Sequence, residues 1–430
     1  MSLWQLPISE GAVPIAVYAL ALVLLVVLLV RRWRRRAVLW AGVGAVIGGA
    51  VGVTAWIVLN ATDVFGAPLP TDVLLIVGGA LAATGFALGA MVGARLWRRI
   101  VSIVAAVVFL LSGALGVNAV FGLDPTLGSL FGITDAPSVA LPTATATSTA
   151  PAAPLYETWT PPAGMPAVGS RGSQVIPATA SGFDARPAGI YLPPAALVSD
   201  APALPLVIMM MGYPGNPDPT IISNVLDAFA AKHDGLAPIV IVADQIGASG
   251  NDPACADSTV YGKARTYVTQ DVVDWAKKNL NIIDDPAYWT IAGYSNGGGC
   301  AIAYGAEYPQ MWKNIIDVSG EEFPGSEHVD DVVANIYGGD TAKFEASKPV
   351  NVMAAAPAGT YKGMTAVFTA GSEDPGFSAA ADAVSAAATS AGMAVTRYEV
   401  PGQGHTGDVV GLGLTEGFTV LYPVLGLAAP

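Results

Sequence analysis

Four apolar runs dominate the first 121 residues: about 12–30, 37–60, 73–94 and 100–121. Each approaches or exceeds the ~20 residues that carry an α-helix across a bilayer core, and none contains a charged side chain. A single soluble core does not produce four such runs in succession, so this part of the chain is expected to be four transmembrane helices (1–122). Five arginines, Arg31, Arg32, Arg34, Arg35 and Arg36, follow the first run, and Arg95, Arg98 and Arg99 follow the third. The loop between the second and third runs carries Asp63 and Asp72 and no basic residue. Short positively charged loops stay cytoplasmic. The N-terminus and everything after residue 121 are then expected outside a multi-pass plasma-membrane anchor. The first run has no basic segment before it and no clear cleavage site, so it reads as a retained span and not a signal peptide.

Gly44, Gly48 and Gly52 recur at spacing four in the second run, and Gly85, Gly89 and Gly93 in the third. Each trio lies on one helix face and allows close backbone approach. Packing within the bundle is the favoured use, and a homo-oligomer through these faces is the alternative. Transport or conduction would call for charged groups inside the membrane. Only Ser102, Ser112, Thr54, Thr84 and Asn118 are at hand, so the bundle reads as an anchor.

The rest of the chain has an opposite composition. The whole protein holds 20 basic and 33 acidic residues. The first 121 residues hold 8 and 3 of these, which leaves 12 and 30, a net charge of −18 for the remainder. No basic surface is available to replace phosphate counterions, which argues against nucleic-acid binding. Two cysteines and three histidines make a metal centre improbable. Residues 123–164 read as a Pro/Ala/Thr-rich linker, extended and with little to bury.

From 165 to 430, short Val/Ile-rich segments alternate with helical ones. Strands are expected at 188–192, 206–211, 238–243, 288–292, 314–318, 365–369 and 395–400. Helices are expected at 220–232, 264–280, 296–308, 330–337 and 378–391. Such alternation predicts an open, mostly parallel α/β sheet flanked by helices.

The sharpest motif is Gly293-Tyr294-Ser295-Asn296-Gly297, followed by Gly298 and Gly299. It directly follows a strand-like segment and precedes a helix-like one, the setting in which a G-x-S-x-G turn lifts a serine to a helix N-terminus. An acid and a histidine follow in the order this chemistry uses. Asp374, in Gly371-Ser372-Glu373-Asp374, comes after one strand, with Glu373 as the other choice of acid. His405, in Gly404-His405, comes after the next strand and is preferred over His233 and His328. His405 would act as general base toward Ser295, and Asp374 would hold its tautomer. The backbone N–H groups of Asn296 and Tyr213 are the expected oxyanion donors, with Gly212 second for the latter. Cys255 and Cys300 are open to two readings, a disulfide permitted by export or two buried thiols.

These residues resemble the esterase-D / antigen 85 (mycolyltransferase) branch of the α/β-hydrolases. The likeness covers about 165–425 and rests on Tyr191-Leu192-Pro193-Pro194, the apolar strand ending at Gly212, Thr269-Gln270-Asp271 with Trp275, the GYSNGG run at 293–298, Tyr308-Pro309, Gly371 with Asp374, and Gly404-His405. It implies an α/β-hydrolase fold and a Ser-His-acid esterase or acyltransferase that works outside the cell without a cofactor, with Ser295, Asp374 and His405 as its triad. Many members carry His-Gly where this chain has Met211-Gly212, and an aromatic residue shortly after the histidine where this chain has Thr406-Gly407-Asp408. The expected partners are the membrane and an envelope lipid or small ester, neutral or cationic given the acidic surface. An acyltransferase moving the acyl group to a sugar hydroxyl is the alternative, and a non-catalytic membrane sensor the second alternative.

Overall fold

The computed structural model describes residues 3–9, 11–30, 35–62, 68–122, 124–131, 138–141, 151–247 and 251–430. Arg31, Arg32, Arg34, Asp63 and most of the Pro/Ala/Thr-rich stretch lie outside the described residues. The chain divides into two compact units, Met1–Asp135 with Gly404–Gly407, and Ala136–Gln403 with Asp408–Pro430.

In the first unit the apolar runs form α1 (Ala12–Leu29), α2 (Arg35–Ala61), α3 (Thr71–Gly89) and α4 (Leu96–Phe121). All four are long and apolar enough to cross a membrane. Leu22, Val46, Leu75 and Val107 point outward, as on helices whose surroundings are hydrocarbon and not water. The two glycine rows face each other. A side chain on Gly44 would meet the carbonyl of Gly85, one on Gly48 the carbonyl of Leu81, one on Gly52 the backbone of Gly78, and one on Gly89 the carbonyl of Trp40. The rows are therefore used between α2 and α3 of one chain. This is the packing within the bundle that the sequence favoured. Gly93 lies beyond α3, at φ 65° with open space around its Cα.

The α2–α3 connection and the segment after α4 are tied by side chains. Asn60 Oδ1 accepts the N–H of Leu69 at 2.8 Å, and Asn118 exchanges two bonds with the backbone of Asp124 at 2.8 and 2.9 Å. The segment before α1 pairs with the segment after α4: Ile8 N–H donates to the Pro125 carbonyl and Leu127 N–H to that of Leu6, both at 2.9 Å.

In the second unit the sheet strands are β1 (Ser170–Gln174), β2 (Ala188–Leu192), β3 (Leu206–Met210), β4 (Ile239–Ala243), β5 (Trp289–Tyr294), β6 (Asn314–Val318), β7 (Thr365–Gly371) and β8 (Ala394–Val400). Their order is β1-β2-β4-β3-β5-β6-β7-β8. β4, β3, β5, β6, β7 and β8 run parallel to one another; β2 is antiparallel to both β1 and β4. The central strands bury every side chain, Ile208 lying between Ile241 and Ile291 in register. That is why they read as unbroken apolar runs and do not alternate. The flanking helices used below are α5 (Thr220–Ala230), α6 (Val272–Asn279), α7 (Asn296–Glu307), α8 (Pro375–Ala391) and α9 (Gly407–Val424).

Several expected boundaries move. The helix expected over 264–280 is interrupted by a π-helical stretch at Tyr267–Asp271, and the one over 330–337 is a short turn followed by another such stretch at Val332–Ile336. The second unit also starts before 165. Leu155 is buried in its core, Tyr156 N–H donates to the Gly426 carbonyl at 3.1 Å, and Trp159 Nε1 donates to the Asp234 carbonyl at 2.9 Å. The aromatic and aliphatic side chains after Pro154 have surface to bury, so the end of the presumed linker packs.

Replacing Gly48 by leucine is expected to drive α2 and α3 apart and lower thermal stability of the detergent-solubilised chain by about 1–3 kcal/mol, the usual cost of overpacking. The same change at Gly42, where nothing lies within 4 Å of an added Cβ, is expected to leave the melting temperature near that of the wild type.

Candidate active site

Chain connectivity puts Ser295 just beyond the end of β5. Its backbone is left-handed, with φ 55° and ψ −120°, a conformation that costs of order 1–3 kcal/mol for a non-glycine residue. The turn is possible because its flanks lack side chains. A Cβ on Gly293 would collide with the Gly297 carbonyl, and one on Gly297 with the carbonyl of Met210. The turn is closed by Ser295 N–H on the Val318 carbonyl at 3.0 Å and by Gly299 N–H on the Ser295 carbonyl at 3.0 Å. Ser295 thus caps α7, with the free N–H groups of the first turn beside it.

The loop after β3 lies against this serine. A Cβ on Gly212 would stand 3.2 Å from Ser295 Cβ and 3.3 Å from the Tyr294 ring, a tight fit that would press on both. Tyr213, the residue beyond, is half-buried. The far end of the loop is held by Arg186. Its guanidinium donates to the Gly215 carbonyl at 2.8 Å and to Asn216 Oδ1 at 2.9 Å, while a two-pronged ion pair joins it to Asp244 at 2.7 and 3.0 Å. Bidentate pairing of this kind fixes geometry as well as charge.

Asp374 follows β7, is fully buried, and begins α8; Glu373 is exposed. Asp374 also bears on Tyr294, whose hydroxyl pKa is raised by burial first and by this carboxylate second. The loop after β7 is stitched to the one after β8. Ser372 N–H donates to the Val400 carbonyl at 3.0 Å, Glu373 N–H to that of Gln403 at 2.8 Å, and Gly402 N–H to Ser372 Oγ at 2.8 Å. His405 follows two residues after Gln403, on the four residues grouped with the first unit. Of the other histidines, His233 has Nδ1 2.8 Å from the Phe229 carbonyl at the end of α5, and His328 closes a single 3-10 turn.

Asn296, buried, sits in a polar network that sequence reasoning missed. Gln245 Nε2 lies 3.1 Å from Asn296 Oδ1, and Asn296 Nδ2 donates to Asp252 Oδ2 at 3.0 Å. Cys255 and Cys300 form a disulfide with a Cα–Cα distance of 5.3 Å, which pins the Asp252–Cys255 segment to α7. Burial raises the carboxyl pKa of Asp252 and, further, that of Glu321, whose Oε2 accepts the Gly325 N–H at 2.7 Å. Asp271 goes the other way. Burial works against its charge, but bonds from Ser181, Ala180 and Thr179 outweigh this and lower its pKa. It anchors the 179–183 loop. Among the described residues no group of three His, Cys, Asp or Glu side chains could hold a metal ion.

A mostly parallel eight-stranded sheet in this order, with serine on a strained strand-to-helix turn, defines an α/β-hydrolase. Residues 184–409 match the family described as "Putative esterase". An uncharacterized protein of Corynebacterium glutamicum is 32% identical over 388 residues, 88% of this chain and 88% of its own. That share exceeds the α/β unit, so the likeness takes in part of the helical unit. A ferulic acid esterase of known structure superposes with a TM-score of 0.50 at 15% identity, over 60% of this chain and 99% of its own. An S-formylglutathione hydrolase from Agrobacterium tumefaciens gives 0.47 at 15% identity, over 60% and 96%. The chain belongs to this esterase family and is a serine ester hydrolase.

Beneath the turn, Asp317 of β6 is 1% exposed, and neither carboxyl oxygen makes a well-formed hydrogen bond. Burial raises its pKa to about 7, with the Gly320 N–H and Arg397 offsetting only part of this. The folded protein therefore holds a proton that the unfolded chain releases near the ordinary value of 3.8. The stability linked to that proton is fully present below about pH 4 and is lost as pH rises to about 7, up to about 4 kcal/mol in all. Asp317→Asn removes the titration. The stability difference between variant and wild type is expected to move in favour of the variant between about pH 4 and 8, read by melting temperature across that range. A pH-independent difference would contradict it.

Proposed function

We propose that this protein is a membrane-anchored esterase that hydrolyses neutral or cationic carboxylic esters of the cell envelope, outside the cytoplasm, through an acyl-enzyme on Ser295. The single observation that carries the reading is the strained serine turn at the head of α7, with Gly212 pressed against it. His405 takes the Ser295 proton as Oγ attacks the ester carbonyl. Asp374 holds the imidazole in the right tautomer and stabilises its cation. The N–H groups of Asn296 and Tyr213 receive the developing oxyanion. Collapse expels the alcohol with the proton from His405, and a water molecule activated by the same histidine then releases the acid.

Orientation follows from charge. Among the described residues of the first unit, Arg35 and Arg36 open α2, and Arg95, Arg98 and Arg99 surround the start of α4. Retention of these arginines in the cytoplasm leaves the chain before α1 and after α4 on the outer side. Export also suits the disulfide. Anchoring holds the esterase close to lipid and wall esters, and the net charge of −18 after residue 121 disfavours anionic ones.

The test is turnover of p-nitrophenyl esters from acetate to palmitate by the detergent-solubilised full chain. Ser295→Ala is expected to lower kcat by about 10⁴-fold or more, as loss of a nucleophile does. A preference for long chains would support a lipid ester, and one for short chains a small ester. Equal rates in variant and wild type would remove Ser295 from the chemistry.

A further inference from the structure

Gln245 follows β4 and is 2% exposed. Its side-chain amide stands where the ends of three strands come together. Nε2 donates to the Met211 carbonyl at 2.6 Å, just past β3, and to Asn296 Oδ1 at 3.1 Å, just past β5. The directions are fixed by chemistry. A carbonyl only accepts, so the group of Gln245 facing Met211 is its NH₂. That NH₂ has a second hydrogen, which requires an acceptor from Asn296. The Asn296 amide must then turn its own NH₂ outward, where the Asp252 carboxyl receives it at 3.0 Å. Asp252 is in turn held by the Ala254 N–H at 2.8 Å and, through the Cys255–Cys300 bridge, by α7 itself.

We propose that Gln245 is a positioning residue for the oxyanion hole, tying its two halves together through one side-chain amide. The inference rests on the reading of Ser295, Asn296 and Tyr213 given above. The two expected donors come from segments distant in sequence, 213 and 296. Gln245 connects the carbonyl two residues before Tyr213 to the side chain of Asn296. Arg186 fixes the other end of the Tyr213 loop at Gly215 and Asn216. Tyr213 is thus suspended between two anchors, one of which is shared with Asn296. Oxyanion donors must stand about 2.7–3.1 Å from the oxyanion to act, so slack in this link weakens transition-state binding while leaving ground-state binding in place.

The experiment uses the full chain in detergent with wild type, Gln245→Met, Asn296→Ala, the double variant and Ser295→Ala. Methionine keeps the length of glutamine without its donors. The expected result for Gln245→Met is a fall in kcat of about 10- to 100-fold with KM within about twofold. The affinity for an alkyl boronic acid, which forms a tetrahedral anion on the serine, is expected to fall by the same factor as kcat/KM. Asn296→Ala keeps the backbone N–H and cuts the same link from the other side, so the double variant is expected to be no slower than the slower single one. Should Gln245→Met fail to fold, Asn296→Ala alone gives the same kcat and boronate readout. Unchanged kcat, a loss confined to KM or melting temperature, or additive effects, in an enzyme that Ser295→Ala inactivates, would overturn the role of Gln245 alone. Activity that survives Ser295→Ala would overturn it together with the reading it rests on.

Discussion

The turn between β5 and α7 is the constraint around which the α/β unit is arranged. Ser295 adopts a left-handed backbone that its own Cβ disfavours. Glycines on both sides let strand and helix approach to distances a side chain would forbid. The turn is held from below by β6, whose Val318 carbonyl accepts the serine N–H, and from the side by β3, whose last carbonyls crowd Gly297. A strand-to-helix turn this tight persists only where neighbours over-determine it. Here the central parallel strands, buried on both faces, supply that rigidity.

Polar groups buried around the turn fall into two kinds. Gln245, Asn296, Asp252 and the Arg186–Asp244 pair form connected chains in which each donor has an acceptor. Such networks specify one arrangement of loops and lose that property if one member is left unpaired. Asp317 is of the other kind. It is enclosed without well-formed hydrogen bonds and holds its proton up to about pH 7. A neutral acid at this place avoids an uncompensated charge under the helix that Ser295 caps.

Much of this was legible in the sequence, and the omissions have physical causes. The buried parallel strands were readable because unbroken Val/Ile runs have few other uses, and the serine turn because its glycines and serine are consecutive. β1 was missed: its sequence, Ser170-Arg171-Gly172-Ser173-Gln174, is that of a polar edge strand, laddered to β2 on one side and meeting only an isolated bridge from Ser138 on the other. α9 was missed because Gly407, Gly411, Gly413 and Gly417 dilute its period. In the fold Gly413 and Gly417 allow contact with Val318 and Ile316 of β6. The π-helical stretches left a helical period in the sequence and could not be told from α-helix. Gln245, Asp252, Arg186 and Asp317 carried no signal at all. Each is one polar residue in a loop or strand end; the first three take their meaning from partners about 30 to 60 positions away, and Asp317 from its enclosure. The linker was read as too long because its last apolar side chains could be weighed only against a surface not yet known.

The helical unit keeps its glycine rows for itself, with α2 and α3 packed backbone to backbone. The charged side chains on these helices, Arg35, Arg36, Asp72, Arg98 and Arg99, lie in their first turns, and the apolar runs that follow carry none. The account as a whole stands on one atom, the Oγ of Ser295, being the nucleophile. The most direct measurement is reaction of the full chain in detergent with a fluorophosphonate probe, followed by mass mapping of the labelled peptide. The account predicts a single phosphonyl adduct on Ser295. An adduct on another residue, or none on a folded chain, would contradict it.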